Sequence, residues 1–515
     1  MIYNIISLCI FVSCFVTIKT DTPCAARQIS GQSVVCVCNA TYCDDFTRDE
    51  PEQGSYKIYT SSESGLRFNK SEGTLGESTL CLLCSNTFEI QPDKTHQEIQ
   101  GFGGAVTDAA GINWKSLDST IRDYLIKSYY SNKGLEYNFV RVPIGGSDFS
   151  TRAYAYNELP ENDVNLSNYT LSPEDYEYKI PMIQAINSAS SVPVNIMGTT
   201  WSPPVWMKTN NAYTGVSRLK AEYYQTYADY HIKFMEQYAA ENITIWGITT
   251  TNEPLNGVLG IIPFNCLGWT ASELGSWIAK YLGPTVRNST FKDIKILTGD
   301  DQRYSVPLYF NVLVAKYPEA LDYIDGVGVH YYANVIVPAE ILDISIDQYP
   351  EKFLLGTEAC AGFLPTDTKV LLGSWDRANS YIKAILQDLN HEVSGWIDWN
   401  LCLDTTGGPN WASNFVDSAV IVNATAQEFY KQPMYYALGH VSKFVPKGSL
   451  RIEVSESKGL LQSSIPNAAF LTPRNTTVLV LANTGGNRKV KVKRSDDSMV
   501  LDLIANSIVT VEFNN

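Results

Sequence analysis

Two glutamates of this chain each follow a short run of β-forming residues. Glu253 lies in the motif Thr-Asn-Glu-Pro at 251–254, and Glu358 lies in Thr-Glu-Ala at 357–359. Two carboxyl groups about 5 Å apart can break an acetal bond with retention of configuration, because one attacks the acetal carbon while the other protonates the departing oxygen. A short motif has little specificity by itself, so this chemistry depends on the elements that bring the two residues together.

The middle of the chain alternates β-rich runs with helix-length amphipathic segments, such as 221–240 and 374–389. Eight such runs predict an α/β fold in the form of a (β/α)8 TIM barrel. An open doubly wound sheet is the alternative, but the Gly-Phe-Gly-Gly segment at 101–104 lacks the glycine spacing of a dinucleotide-binding turn. The predicted strands are 99–105, 138–143, 192–198, 243–249, 294–299, 326–331, 352–357 and 393–398.

The C-terminal ends of barrel strands are where catalytic residues of such a fold lie. Strands four and seven face each other across the barrel mouth, so Glu253 and Glu358 are expected to flank one bond. Most other strands also end in polar or aromatic residues, which suit hydrogen bonds to sugar hydroxyls and stacking on C–H groups. These residues are Asp148, Trp201, Asn252, Asp300, Asp301, His330, Tyr332, Trp399 and Asn400. A purely structural role, such as core packing for Trp201, is the alternative for each of them.

The composition is that of a folded globular protein. The 515 residues are 44% hydrophobic and 18% charged, which is enough for two or three domains. A net charge of -15 argues against nucleic acid as a partner, because such a partner requires a basic face. The five histidines show no metal-ligand spacing, so the sequence predicts no metal site and no cofactor.

The first twenty residues resemble a signal peptide, since an apolar stretch precedes polar residues at 19–21. A membrane anchor is the competing interpretation. The apolar stretch is at the short limit for a span and has no basic residue ahead of it. No later segment is long and apolar enough to cross a bilayer, so we expect no transmembrane segment in the mature chain.

Cysteine usage agrees with export. Four cysteines within twenty residues could form a zinc site, but no histidine lies near them, so two disulfides are predicted. These are Cys24, Cys36, Cys38 and Cys43, and their spacing leaves three connectivities open. The other cysteines of the mature chain, Cys81, Cys84, Cys266, Cys360 and Cys402, are predicted to be buried thiols, although Cys81 and Cys84 could pair.

Eight Asn-x-Ser/Thr motifs are candidate glycan acceptors on an exported chain. They are Asn39, Asn69, Asn165, Asn168, Asn242, Asn288, Asn423 and Asn475.

Both flanks of the barrel region, residues 50–95 and those after 448, alternate polar and apolar residues between turns. That pattern predicts antiparallel strands, arranged as a β-sandwich built from both ends of the chain.

Longer motifs make the chain resemble the acid β-glucosidases, the lysosomal glucosylceramidases of glycoside hydrolase family 30. The resemblance covers essentially the whole mature chain and is far more specific than the two glutamate motifs. The motifs are 36–43 (Cys-Val-Cys-Asn-Ala-Thr-Tyr-Cys), 101–104 (Gly-Phe-Gly-Gly), 107–110 (Thr-Asp-Ala-Ala), 137–143 (Tyr-Asn-Phe-Val-Arg-Val-Pro), 399–401 (Trp-Asn-Leu), 407–411 (Gly-Gly-Pro-Asn-Trp) and 414–418 (Asn-Phe-Val-Asp-Ser).

This resemblance implies a retaining exo-β-glucosidase that hydrolyses glucosylceramide to glucose and ceramide. It implies that Glu253 is the acid/base and Glu358 the nucleophile. The residues implied to hold the glucose ring are Asp148, Trp201, Asn252, Trp399 and Asn414, and those implied to support the carboxylates are Arg141, His330 and Tyr332. The implied disulfides are Cys24–Cys36 and Cys38–Cys43.

The resemblance also implies a domain plan and a setting. Residues 21–48 with 401–433 would form a small antiparallel β domain that carries the two disulfides. Residues 49–95 with 449–515 would form an immunoglobulin-like β-sandwich, and residues 96–400 with 434–448 the catalytic barrel. The implied setting is lysosomal or secreted, with a glycolipid substrate at an anionic membrane surface and a saposin-like activator.

Some residues depart from the family pattern near the barrel mouth. Tyr331 stands where vertebrate members carry Trp, Ser147 where they carry Cys, and the loop 362–367 differs from theirs. Loops at the mouth face the leaving group, so the aglycone and the activator are left open. The alternative functions are a related β-glycosidase acting on glucosylated sterols or another β-linked sugar, and a non-catalytic sugar- or lipid-binding barrel.

Overall fold

The computed structural model describes residues 21–77, 81–495 and 497–515. The signal peptide predicted for residues 1–20 lies outside these described residues. Among the helices within those ranges, none is both long and apolar enough to span a membrane.

The described residues form 23 strands, numbered here in chain order. They are β1 (Ala26–Gln28), β2 (Val34–Asn39), β3 (Ser55–Ser62), β4 (Asn69–Thr74), β5 (Gly76–Glu77), β6 (Asn86–Glu98), β7 (Gly101–Ala105), β8 (Phe139–Ile144), β9 (Asn195–Thr200), β10 (Ile245–Thr249), β11 (Lys295–Gln302), β12 (Gly326–His330), β13 (Phe353–Glu358), β14 (Val393–Asn400), β15 (Leu403–Asp404), β16 (Val420–Asn423), β17 (Glu428–Lys431), β18 (Leu450–Lys458), β19 (Asn467–Leu471), β20 (Thr476–Asn483), β21 (Arg488–Arg494), β22 (Asp497–Leu503) and β23 (Ser507–Asn514).

The helices of the described chain lie mainly between the barrel strands. The α-helices are α1 (Asp108–Lys115), α2 (Ser119–Tyr130), α3 (Ile180–Ala189), α4 (Tyr224–Ala240), α5 (Pro254–Leu259), α6 (Ala271–Trp277), α7 (Gly283–Arg287), α8 (Asn311–Lys316), α9 (Glu340–Ile346), α10 (Trp375–Leu389) and α11 (Pro433–Ser442). Short 3₁₀- and π-helices occupy Asp175–Lys179, Val205–Met207, Ala221–Tyr223, Ile278–Leu282, Val306–Phe310 and Pro318–Asp322.

Strands β7 to β14 form a closed barrel of eight parallel strands, in which β14 pairs back onto β7. The predicted TIM barrel is therefore confirmed. Its third strand begins at Asn195 rather than at 192, because Pro193 has no backbone N–H to join the ladder. The predicted helix at 374–389 is α10, and the side chain of Ser374 caps it by accepting a hydrogen bond from the Arg377 N–H.

The barrel interior is apolar at one level and polar at the next. Because side chains alternate between the two faces of a strand, residues two apart point to the same side. The apolar layer consists of Phe139, Met197, Leu297, Leu355 and Ile397, which form one buried cluster. Two positions later on four of these strands come Arg141, Thr199, Thr357 and Trp399. This second layer lies toward the C-terminal ends of the strands and forms the floor of the candidate site.

The small sheet combines both sides of the barrel sequence in the strand order β1-β2-β17-β16-β15. Disulfides join Cys24 to Cys36 and Cys38 to Cys43, which confirms the pairing implied by the resemblance. The described sheet is mainly antiparallel, with a parallel pair between β15 and β16.

One cysteine prediction is wrong. Cys81 and Cys84 form a disulfide rather than remaining buried thiols, because a tight turn brings their Cα atoms to 5.5 Å. Cys266, Cys360 and Cys402 are buried free thiols, as predicted.

The predicted β-sandwich is confirmed as a set of ten strands in the order β4-β3-β23-β20-β19-β18-β6-β21-β22-β5. Residues before and after the barrel alternate in this order, so the sandwich is built from both ends of the chain. Its own core is apolar and includes Phe88, Ile90, Leu479, Leu481 and Val511.

Six of the eight candidate glycan acceptors are solvent-exposed: Asn69, Asn165, Asn168, Asn242, Asn288 and Asn475. Asn39 and Asn423 are only half-buried, and both use their side chains in local hydrogen bonds. Exposure permits modification at the six sites, and glycosylation of any of the eight stays a prediction.

Candidate active site

Arg141 on β8 is fully buried at the centre of the polar layer. Its guanidinium donates to Glu358, to Oδ2 of Asp300 over 2.9 Å and to Oδ1 of Asn252 over 2.8 Å. Burial lowers the pKa of Arg141, but the charges of Asp300 and Glu358 outweigh this effect and raise it overall. Arg141 therefore stays cationic, and its charge favours the ionised form of Asp300.

Glu358 is the last residue of β13 and is almost completely buried. The Tyr332 hydroxyl donates to its Oε1 over 2.7 Å, while Arg141 donates to its Oε2. Burial raises the pKa of Tyr332 well above its usual value, so the hydroxyl keeps its proton and remains a donor. Two donors on opposite oxygens fix the orientation of Glu358, which suits a carboxylate that attacks carbon.

Glu253 lies just beyond β10 in a left-handed backbone conformation with φ of 41°. Its N–H donates to the carbonyl of Asp300 over 2.9 Å. Its Oε1 accepts a hydrogen bond of 2.9 Å from Nε2 of Gln302, and its Oε2 accepts one from Asn256. A non-glycine residue in this conformation is strained, and such strain is typical of functional positions.

His330 lies between the two glutamates. Its Nδ1 is 3.0 Å from Oε1 of Glu253 and 3.9 Å from Oε1 of Glu358, and its Nε2 is 3.1 Å from Oδ1 of Asp300. Burial lowers the pKa of His330, but Glu358, Asp300 and Glu253 outweigh it and raise the pKa to about 10. A carboxylate oxygen of Glu253 and one of Glu358 lie within 4.8 Å of each other. That separation is in the range of paired carboxyl groups that act by double displacement.

Two indole rings form one wall of the site. Trp201 and Trp399 stack with ring centroids 5.1 Å apart and an interplanar angle of 16°. The Arg141 guanidinium carbon lies 4.9 Å from the centroid of Trp201 and 5.3 Å from that of Trp399. The rings therefore shield the buried cation while they present an aromatic surface to a ligand.

The site also carries a polar cluster around Asp148. Its Oδ2 accepts hydrogen bonds of 2.9 Å from Nδ2 of Asn414 and 3.2 Å from Nδ2 of Asn410. Burial, together with the charge of Glu358, raises the pKa of Asp148 to about 7 despite these hydrogen bonds. Asp148 and Asn414 thus act as one hydrogen-bonding unit, although 266 positions separate them.

These groups surround a cavity of about 140 Å³. Its lining brings together the predicted residues Asp148, Trp201, Asn252, Glu253, Tyr332, Glu358, Trp399 and Asn414, and it adds Phe149, Phe264, Cys360, Phe363 and Val416. Arg141 and His330 lie outside the lining and contact the glutamates from behind. A small cavity lined by aromatic and polar side chains suits a sugar ring.

A larger cavity of about 460 Å³ lies near the small sheet. Its charges neutralise one another, since Lys70 pairs with Asp49, Lys133 with Asp45 and Lys431 with Asp44. It contains neither of the two glutamates, so its size does not make it the candidate active site.

Sequence reasoning did not name Gln302 or Asn256. It named Asp300 and Asp301 only among the strand ends and gave neither an individual role. Asp300 joins Arg141 and His330, and burial, with the charge of Glu253, raises the pKa of Asp301 to about 7. Gln302 continues the same strand end, and Asn256 lies one helical turn after Glu253. Their closeness in sequence to Glu253 and to the Asp300–Asp301 strand end is the signal by which they could have been identified.

Glu253, His330 and Glu358 are close enough together to raise the question of a metal ion. A histidine must be neutral to bind a metal ion. The pKa of His330 is raised to about 10, so its imidazole is protonated. The other cluster, Cys38, Cys43 and Asp44, offers no thiolates because its cysteines form a disulfide. Both sets of donors therefore fit metal binding poorly.

Comparison with known proteins gives concordant results. The model of the glycosyl hydrolase family 30 TIM-barrel domain matches residues 99–445, and that of the family 30 beta sandwich domain matches 448–511. The chain is 39% identical over 518 residues to putative glucosylceramidase 3 of Caenorhabditis elegans, covering 99% of this chain and 98% of that protein. It is 39% identical over 469 residues to the lysosomal acid glucosylceramidase of Mus musculus, covering 90% of this chain and 89% of that protein. The crystal structure of SrfJ from Salmonella typhimurium shares the fold, with a TM-score of 0.82 and 23% sequence identity. The match covers 90% of this chain and 100% of that one.

Proposed function

Because the chain belongs to glycosyl hydrolase family 30, we propose that it is a retaining exo-β-glucosidase that hydrolyses glucosylceramide to glucose and ceramide. The observation that carries this proposal is the approach of a Glu253 oxygen to within 4.8 Å of a Glu358 oxygen at one small cavity. Inverting enzymes separate their carboxyl groups more widely, because a water molecule must fit between the base and the sugar.

In the first step Glu358 attacks the anomeric carbon while Glu253 gives a proton to the leaving oxygen. Arg141 and Tyr332 donate hydrogen bonds to Glu358 and hold its carboxyl group in position. The glycosyl-enzyme bond then neutralises Glu358, which removes one negative charge from the site. Glu253, now ionised, can take a proton from the water that releases glucose.

The proposed glucose site uses the indole wall and the polar cluster. Trp201 and Trp399 would contact C–H groups of the ring, while Asp148 and Asn414 would bind hydroxyls. Arg141 holds Oδ1 of Asn252, which leaves Nδ2 of that residue to donate to the 2-hydroxyl. A contact to the 2-hydroxyl strengthens as charge develops at the anomeric carbon, so it favours the transition state.

A lipid leaving group is supported by the loops around the mouth. Leu259 and Ile261 follow β10, Val335 and Ile336 follow β12, and Leu364 follows β13, and all five side chains are exposed. Exposed aliphatic residues on loops that follow barrel strands at their C-terminal ends suit a substrate with a hydrocarbon tail. We infer from the glycolipid that the chain works at a membrane surface in a lysosomal or secreted setting. A saposin-like activator remains part of the proposal.

We also propose the division of the chain into a signal peptide (1–20), a small β domain (21–48 and 401–433), a sandwich (49–95 and 449–515) and a catalytic barrel (96–400 and 434–448). Sheet membership supports it, because β15 to β17 belong to the sheet of the N-terminal strands β1 and β2 rather than to the barrel.

The test is hydrolysis of glucosylceramide compared with glucosylated sterols, xylosides and oligosaccharides, together with trapping by a 2-deoxy-2-fluoro-glucoside. We expect glucose release from glucosylceramide and a covalent label on Glu358. Glu358→Gln should reduce turnover by roughly 10⁴-fold or more, whereas the exposed Glu222→Gln control should not. A label on another residue, or turnover retained in Glu358→Gln, would refute the nucleophile assignment. Preference for another substrate in the panel would refute glucosylceramide as the substrate.

A further inference from the structure

Two pairs of leucines project into solvent at one end of the β-sandwich. Leu82 and Leu83 are 85% and 83% exposed, and Leu460 and Leu461 are 101% and 94% exposed. We call these four residues the leucine tip. A single exposed leucine is common on protein surfaces, but a cluster of nearly fully exposed ones marks a surface that binds something apolar.

Strand pairing makes the two pairs neighbours. Strands β6 and β18 run antiparallel, with Lys458 opposite Asn86 at this end of the sheet. The next residue, Gly459, donates its N–H to the carbonyl of Ser85 over 3.0 Å. The turn that carries Leu460 and Leu461 therefore lies beside the turn that carries Leu82 and Leu83.

Both turns are closed by the chain itself. The Cys81–Cys84 disulfide encloses Leu82 and Leu83, and the Gln462 N–H donates to the carbonyl of Gly459 over 2.9 Å. The leucines are thus displayed on short, constrained turns, so little conformational entropy is lost when a partner covers them.

Positive charge lies behind the leucines. Lys458 donates to Oγ of Ser464 over 2.7 Å, and Arg488 donates to the carbonyl of Ser463 over 2.8 Å. Within the described ranges of the chain, neither residue forms an ion pair with a carboxylate. One carboxylate lies at the same end, since Glu456 accepts hydrogen bonds from Nδ2 of Asn86 and from the Ile465 N–H. The two cations outnumber it, so the tip is locally positive and complementary to an anionic surface although the whole chain carries a charge of -15.

Neither of the two leucine turns contains a candidate glycan acceptor. No Asn-x-Ser/Thr motif falls within 81–86 or 456–466. The sandwich motif at Asn475 follows β19, whose first residue is at the tip end, and so lies at the opposite end of that strand. The other sandwich motif, at Asn69, is level with the first residue of β19 but stands on β4, four strands away in the sheet.

From the exposed leucines, their adjacency, the closed turns and the cations, we propose that the leucine tip docks the protein on an anionic lipid bilayer. The leucines enter the acyl region while Lys458 and Arg488 contact headgroup phosphates. Leucines displayed on two short turns beside exposed cations suit the apolar and anionic layers of a lipid surface. This docking rests on the proposed function only in that a glycolipid substrate is presented by a bilayer, and binding itself requires no catalysis.

The experiment is sedimentation of the full mature chain with vesicles that contain no glycolipid. Phosphatidylcholine vesicles are compared with vesicles holding about 30% phosphatidylserine, at low and high salt. We expect preferential binding to the anionic vesicles, and a loss of about tenfold or more when all four tip leucines become serine. Lys458→Gln with Arg488→Gln should weaken binding mainly at low salt.

A matched control is Val335→Ser with Ile336→Ser, which removes exposed aliphatic residues at the barrel mouth instead. Hydrolysis of a soluble aryl glucoside reports folding, and it should be unchanged in the tip variant. Equal binding by the tip variant and the unmodified chain would overturn the proposal, as would loss of binding in the mouth control alone. Binding that appears only when a second protein is added would also overturn it.

Discussion

The active site and the leucine tip both depart from the usual pattern of burial, but in opposite ways: the first buries charged residues and the second exposes apolar ones. At the active site the charged residues Arg141, Asp300 and His330 are completely buried. At the tip, Leu460 and Leu461 are exposed to water. Burying a charge costs desolvation energy, and exposing a leucine forgoes hydrophobic stabilisation, so neither arrangement is favourable by itself.

The two regions differ in where the compensation comes from. The buried charges compensate one another, because Asp300 accepts hydrogen bonds from both Arg141 and His330. Burial raises the pKa of Asp300, but the charge of Arg141 and the bonds from His330 and Thr357 bring it well below its usual range. The leucines contact no such internal partner among the described residues. A change at one member of the site should therefore disturb the others, while a change at the tip should disturb only an external contact.

The largest effect that would test this contrast is expected for Arg141→Lys. A lysine cannot donate to Glu358, Asp300 and Asn252 together, so kcat/KM should fall by roughly 10³-fold. The control is Arg303→Lys, which alters a fully buried arginine paired with Asp388 outside the cavity. Both variants should lose stability, but only Arg141→Lys should lose activity per folded molecule. Similar activity losses in the two variants would mean that the Arg141 network serves stability alone.

A smaller effect is expected for Asp301→Asn. Burial and the charge of Glu253 raise the pKa of Asp301 to about 7, so this neighbouring pair of carboxyl groups holds one proton until about neutral pH. The alkaline limb of kcat/KM should therefore move to lower pH by about one unit in the variant. The shift should appear with a substrate whose leaving group must be protonated. It should vanish with a dinitrophenyl glucoside, because dinitrophenolate departs without a proton from Glu253.

The matched control for Asp301→Asn is Asp398→Asn, which changes another buried carboxyl group whose pKa burial raises to about 7. Asp398 bonds to Tyr381 rather than bordering Glu253. An equal shift of the pH profile in both variants would show that the effect of Asp301 does not depend on its interaction with Glu253.

The smallest expected effect is on stability. Burial raises the pKa of Asp148 and Asp301 to about 7 and that of Asp108 and Asp388 to about 6. Their stabilising contribution is complete below the pKa of an unfolded aspartate, about 4, and is lost as pH rises through about 6 to 7. The melting temperature should therefore be higher near pH 5 than near pH 8, by roughly 5 °C.

Two buried neutral histidines oppose that trend. Burial lowers the pKa of His231 to about 4 and that of His440 to about 3, so their contribution is lost as pH falls below about 6.5. The four carboxyl groups should outweigh them between pH 5 and 8. The tip serine variant should show the same pH dependence as the unmodified chain, because leucines do not titrate. A melting temperature that rises from pH 5 to pH 8 would contradict the prediction.

Much of the fold followed from local patterns. Each barrel strand is a short β-rich run, so its existence could be predicted without knowledge of its neighbours. The Cys81–Cys84 bridge was predicted wrongly, because a spacing of three residues does not show whether the chain turns tightly there. The importance of Asp300 was missed for a related reason, since its partners Arg141 and His330 lie on other strands.

The sequence by itself determined which kinds of side chain end the barrel strands, because a strand and its C-terminal residue are local features. It could thus nominate Glu253 and Glu358. Only the tertiary structure decided their separation and the position of His330 between them, because barrel closure and strand register set distances between residues far apart in the chain. The same holds for the leucine tip. Its two turns are neighbours only because β6 pairs with β18 across the whole length of the barrel sequence.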